Sequence, residues 1–133
     1  MIKQISHISL STKNIKKVID YYINILGFKI AHKFINKKND ELYGLFINCG
    51  NRTYIEFFKD KKKSKNLNIR HICFEVKKIY LLAKKLKRID RSIRVKRGKT
   101  DRVLQFMTRD FDNNLIEFHE YDKKSKLKPS ISS

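Results

Sequence analysis

The stretch SHISLS, Ser6–Ser11, decides how the chain is read. His7, Ser9 and Ser11 alternate with Ile8 and Leu10, the period of a strand with one face packed and the other open. The pattern returns in RHICFE, Arg70–Glu75, where His71, Cys73 and Glu75 alternate with Ile72 and Phe74. A second echo joins YIEFF, Tyr54–Phe58, to LIEFH, Leu115–His119; each sets a Glu inside an apolar run. His7 and His71 are 64 residues apart, and Glu56 and Glu117 are 61 apart. One loop absorbs that difference, so the chain reads as two repeats.

Outward from SHISLS, NIKKVIDYYINILG carries Ile15, Val18, Ile19, Tyr22, Ile25 and Leu26 at helical spacing. Asn14 is placed to cap this helix and Gly27 to close it. With Ile2–Ser11 as the first strand, further strands are predicted at Phe28–Phe34, Tyr43–Asn48 and Arg52–Phe58. After the lysine-rich KDKKKSKNLN the order restarts. A strand is predicted at Ile69–Val76, a helix over Lys77–Ile89, and strands at Ser92–Val95, Val103–Thr108 and Asn114–Tyr121. The expected organisation is α+β: a single domain over 1–121, with module one about 1–58, a solvated linker 59–68 and module two about 69–121. A flexible basic tail, 122–133, is expected to follow.

A chain of 133 residues, 41% hydrophobic, suits one domain with a real core. No apolar run reaches the roughly 18 residues of a membrane span, and MIKQISHISL lacks the order of a signal peptide. Two cysteines, Cys49 and Cys73, make no disulfide framework, so a cytoplasmic protein with reduced thiols is expected. The net charge of +19 comes from 24 lysines against 8 arginines, scattered along the chain. Nucleic-acid binders concentrate charge on one face and favour arginine forks. The accompanying 18 isoleucines and 10 asparagines fit an AT-rich codon bias instead. Neither a nucleic acid nor a membrane is therefore expected as partner.

His7, Glu56, His71 and Glu117 all project from the strand face opposite the apolar residues that must pack on a helix. Carboxylates and imidazoles enclosed together are costly without compensation. A divalent cation resolves this: two carboxylates balance its charge, and the mixed N/O donor set suits Ni, Zn, Co, Mn or Fe with positions left for substrate. Cys73 and His119 share the same face as wall residues or alternative ligands. Cys49 reads as a small buried side chain.

The order His…Glu…His…Glu, with NIKKVIDYYINILGF after the first strand and RDFDNNLIEF before the last Glu, resembles the vicinal oxygen chelate (glyoxalase/bleomycin resistance/dioxygenase) superfamily. The likeness covers Ile2–Tyr121 and is greatest for glyoxalase I (lactoylglutathione lyase) members. It implies two βαβββ modules forming an open eight-stranded cup around a metal site, with His7, Glu56, His71 and Glu117 as ligands. The implied cofactor is one divalent ion, Ni or Zn foremost, with Co, Mn or Fe compatible. A thiol such as glutathione is implied as co-substrate, and a homodimer as the assembly.

The implied reaction is proton transfer in a 2-oxoaldehyde–thiol hemithioacetal through a metal-bound enediolate, the chemistry of methylglyoxal detoxification. Glu117 is the first choice of base and Glu56 the second. Tyr54, Phe58 and Leu115 would line the trough, while Arg52 and Arg97 would hold an anionic end of the substrate. Glu56 separates this type from relatives with a His/His/Glu set. An epimerase, a fosfomycin-type thiol transferase and a non-enzymatic small-molecule binder are the alternatives on the same cup. Ser11 and Asp60 depart from the Arg and Asn that glyoxalase I commonly places there for glutathione. The usual Asp-Pro-Asp-Gly turn becomes DFDN, with Asn113 expected in the left-handed conformation.

Overall fold

β1 (His7–Thr12) buries Leu10 and Thr12 and leaves His7, Ser9 and Ser11 open, the alternation expected of a strand covered on one side. In a computed structural model of the chain, residues 1–60 and 68–127 are described. The chain divides into two compact units, Met1–Leu67 and Asn68–Ser133. Each carries one four-stranded mixed sheet with a helix after its first strand, so each is a βαβββ module. Among the described residues no helix is long and apolar enough to cross a membrane.

In the first module β1 is followed by α1 (Ile15–Val18), which runs into a π-helical segment, Ile19–Ile25. β2 (Lys29–Ile35), β3 (Leu42–Asn48) and β4 (Tyr54–Lys59) complete the sheet in the order β1-β4-β3-β2, with β1 and β4 parallel. Asn14 caps the helix through its side-chain oxygen, which accepts from Lys16 N at 2.9 Å, and Gly27 takes φ +81° after its end. Asn14→Ala is expected to lower stability by about 1 kcal/mol, read from the midpoint of urea unfolding. The π-helical segment was not foreseen. Its wider turn is marked by Leu26 N donating to Tyr21 O, and Tyr21 and Tyr22 are both buried. Tyr22 meets Phe57 with ring centroids 5.1 Å apart, beside Leu45, Ile47 and Ile55 of the buried sheet face.

The second module repeats the plan with β5 (Ile72–Glu75), α2 (Ile79–Leu86), β6 (Lys96–Arg97), β7 (Leu104–Arg109) and β8 (Leu115–Glu120). Its order is β5-β8-β7-β6, with β5 and β8 parallel. Ile79, Ala83 and Leu86 of α2 are buried, as are Ile93, Val103, Phe106, Ile116 and Phe118. The start of α2 is capped from β8: the Glu120 carboxylate accepts from Lys78 N at 2.7 Å and Ile79 N at 3.4 Å.

Three expectations change. Ser92–Val95 is not a strand. The Asp90 carboxylate accepts from Ser92 N, Ser92 Oγ and Thr108 Oγ1, which turns the chain and leaves only Lys96–Arg97 to pair with β7. Of the segment expected as a linker, Lys59 ends β4 and Asp60 N donates to Thr12 O; residues 61–67 lie outside the described residues. The segment after Tyr121, expected to be loose, is tied down as far as Leu127. Ser125 is buried, its hydroxyl accepts from Asp122 N, and Lys126 N and Leu127 N both donate to Asp101 O. Residues 128–133 of the expected tail lie outside the described residues.

Candidate functional site

Strand register fixes which side chains share a face. In the first module His7 lies opposite Tyr54 and Ser9 opposite Glu56 across the parallel β1/β4 pair. Glu56 also faces Phe46 of β3. These residues stand on the sheet face away from Leu10, Ile55 and Phe57. His7 meets the Phe46 ring edge-on at 5.2 Å, and Phe46 meets Tyr54 at 5.9 Å. A cavity of about 340 Å³ opens here, lined by Ser6, His7, Ala31, His32, Phe46 and Tyr54. Phe58, further along β4, packs against Phe34 at 4.9 Å and stacks on Tyr43 at 6.3 Å. Gly44 makes room for it: a Cβ there would meet the Phe58 ring at 2.6 Å.

Ala31, His32 and Phe46 are lining residues that the sequence reading missed. A register shift between Ile30 and His32 breaks the two-residue alternation of β2, which brings adjacent residues to one cavity. The clue in the sequence was KIAHKFI, whose apolar positions do not keep strict phase.

In the second module Cys73 lies opposite Glu117 across β5/β8, Met107 faces Glu117 from β7, and His119 faces Glu75. His71 stands one residue ahead of β5, in phase with Cys73. Its Nε2 is 3.0 Å from Glu117 Oε2, with Glu117 well covered at 14% side-chain exposure. Cys73, Glu117 and His119 offer ligand atoms that all lie within 4.8 Å of one another. The His119 ring meets Tyr121 at 4.6 Å. Burial pushes the Cys73 thiol up to about 12, with the charges of Glu117 and Asp101 acting in the same direction. Leu115, opposite Arg109, is half-buried on the same face.

The two arginines differ in setting. Arg52 is exposed in the turn before β4, at φ +61°, and its carbonyl accepts from Gln4 Nε2. Arg97 is engaged. Its guanidinium forks onto Asp122, Nη1 to Oδ1 at 2.9 Å and Nη2 to Oδ2 at 2.5 Å, and Nη1 also donates to Arg102 O. By register with Leu104, Arg97 belongs to the face opposite Glu117. The Arg97 fork holds the Asp122 carboxyl well below the usual carboxylate range. A depressed carboxyl stabilises the fold above its unfolded value, about 3.9, and loses that contribution as pH falls toward its folded value. The stability gap between the parent protein and Asp122→Asn is therefore expected to narrow below about pH 4, as read by urea unfolding across a pH series.

The turn before β8 is also built as the sequence implies. Asp110 Oδ1 accepts from Asp112 N and Asn114 N, Asp110 Oδ2 accepts from Asn114 Nδ2, and Asn113 takes φ +68°. His7 and Glu56 thus share the uncovered face of the first sheet, and His71, Glu117 and His119 that of the second. Within each module an imidazole nitrogen and a carboxylate oxygen are donor types that suit a borderline dication.

A family model described as Glyoxalase/Bleomycin resistance protein/Dioxygenase superfamily matches residues 4–118. No curated protein matches the chain in sequence. Among solved structures, the fosfomycin resistance protein FosX from Listeria monocytogenes is similar at 18% identity and TM-score 0.69, covering 96% of this chain and 100% of that one. Lactoylglutathione lyase from Agrobacterium tumefaciens is similar at 15% identity and TM-score 0.66, covering 90% and 94%. A glyoxalase family protein from Enterococcus faecalis is similar at 21% identity and TM-score 0.66, covering 89% and 98%. At these identities the likeness establishes the fold.

Proposed function

Because the chain belongs to the glyoxalase/bleomycin resistance protein/dioxygenase superfamily, we propose that it is a glyoxalase I-like, metal-dependent isomerase/lyase. Its substrate in this reading is the hemithioacetal of a 2-oxoaldehyde and a thiol. One observation carries the reading: the same register in both modules sets a His two residues before the position facing a Glu, on the uncovered side of the sheet. His7, Glu56, His71 and Glu117 would hold one dication, nickel or zinc first. When bound, that ion supplies Lewis-acid stabilisation of charge developing on two neighbouring substrate oxygens.

Glu117 takes a proton from one carbon and returns it to the next. His71, 3.0 Å away, steadies the Glu117 carboxylate, and Glu56 is the second candidate for the base. Tyr54 walls the apolar part of the substrate together with His32 and Phe46, while Phe58 and Leu115 flank the two glutamates along β4 and β8. Arg52 is the freer candidate for an anionic end, since the Arg97 fork is already filled by Asp122. The reading includes a homodimer in the cytoplasm; two free cysteines support a reducing compartment.

Ser11 and Asp60 replace residues that commonly hold glutathione, which favours another thiol. The test is turnover of methylglyoxal with a panel of thiols, before and after chelation. Activity is expected to vanish on chelation and to return with nickel or another dication. Turnover of fosfomycin with a thiol, or epimerisation of a CoA ester, without any hemithioacetal turnover would reassign the chain within its superfamily. Failure to bind stoichiometric metal would make it a non-enzymatic binder.

A further inference from the structure

We infer that the second module carries a site of its own for a thiophilic dication, built from Cys73, Glu117 and His119 with His71 at its edge. The ligand atoms of the first three already gather within 4.8 Å. Tetrahedral zinc, with bonds of about 2.0–2.3 Å, needs donors roughly 3.3–3.8 Å apart, a contraction that side-chain rotation supplies. The backbone prepares the arrangement. Cys73 and Glu117 are direct partners across β5/β8, and His119 follows Glu117 on the same face. His71 stands at the edge of this group, its Nε2 3.0 Å from Glu117 Oε2.

The repeat itself supplies a control. At the equivalent positions of the first module, Ser9 faces Glu56 and Phe58 follows it. Neither is a metal ligand of this kind, so the cysteine and the extra histidine belong to the second module alone. Within the described residues of either module, no other three His, Cys, Asp or Glu side chains gather so closely. A thiolate, an imidazole and a carboxylate form a set that selects zinc or cobalt over magnesium, calcium or manganese. A bound dication would deprotonate the thiol and resolve the crowding of sulfur against carboxylate. The inference stands apart from the proposed reaction but shares Glu117 and His71 with it.

The test is cobalt titration of the reduced, full-length protein, read by absorption. A thiolate-to-cobalt charge-transfer band is expected to saturate at one ion per chain. It should vanish in Cys73→Ser, weaken in His119→Gln, and persist in Cys49→Ser and His7→Ala. In the parent protein, zinc should slow alkylation of Cys73 and leave that of Cys49 unchanged, as read by peptide mass; this arm needs no variant. A band that survives in Cys73→Ser, or zinc that leaves Cys73 alkylation unaltered, overturns the inference. Cobalt bound without the band, and lost in His7→Ala, overturns it while leaving the proposed reaction standing. The band without any metal-dependent turnover supports this site and removes the proposed reaction.

Discussion

Glu117→Gln is expected to lower hemithioacetal turnover by about 10²–10⁴-fold, the usual contribution of a positioned general base, with the fold retained. Glutamine keeps the shape of the side chain and its hydrogen bond toward His71, now 3.0 Å from Glu117. It cannot accept the substrate's proton. Glu117 is also the better-placed of the two glutamates on present geometry, because His71 orients its carboxylate within the same module. The fall should appear in kcat, with circular dichroism unchanged. Glu56→Gln is the partner experiment: if it abolishes the proton shift while Glu117→Gln turns over normally, the base is Glu56.

Phe57→Ala should give the largest loss of stability, about 3–5 kcal/mol. Phe57 is fully buried, lies between the helix and the sheet, and touches the Tyr22 ring. Domains of this kind are stable by only about 5–15 kcal/mol, so the variant would sit near the threshold of folding. Phe58, the next residue, points to the other face and is partly exposed. Phe58→Ala should cost clearly less, and the difference between the two urea midpoints is the measurement. Equal losses would mean that the strand's faces are not separated as described.

That alternation is also why so much of the fold was legible. Ile8 and Leu10 against His7 and Ser9, and Ile116 and Phe118 against Glu117 and His119, state the buried face of their strands directly. Asn14 and Gly27 mark the ends of the first helical segment, and Asn113 marks a left-handed turn. Legibility failed where the local signal competed with a tertiary one. Ser92–Val95 reads as a strand by composition, but Asp90 captures Ser92 and Thr108 and bends the chain. Tyr21 was passed over because it lies outside the spacing of Val18, Ile19, Tyr22 and Ile25, whereas the π-helical segment buries it.

The same holds for the candidate site. That His7 and Glu56, and His71 and Glu117, share the uncovered face of their own sheets was readable because they keep phase in a repeat. His32 and Ala31 were not, since the bulge in β2 breaks the phase. Arg97 shows another limit: an arginine reads as an anion holder from sequence, but its partner Asp122 lies 25 residues away and no periodicity links them. The docking of Lys126 and Leu127 onto the second module likewise depends on the Asp101 carbonyl, which composition does not reveal.

The most direct test of the central claim is the turnover regained by metal-free protein as one dication per chain is added back. It should be measured side by side on the parent chain, His7→Ala and His71→Ala. On the proposed reading, which takes one imidazole from each module, the parent is expected to recover and both variants to remain inactive. Full recovery by His7→Ala would contradict the account, since the first module's pair would then have no part in the reaction.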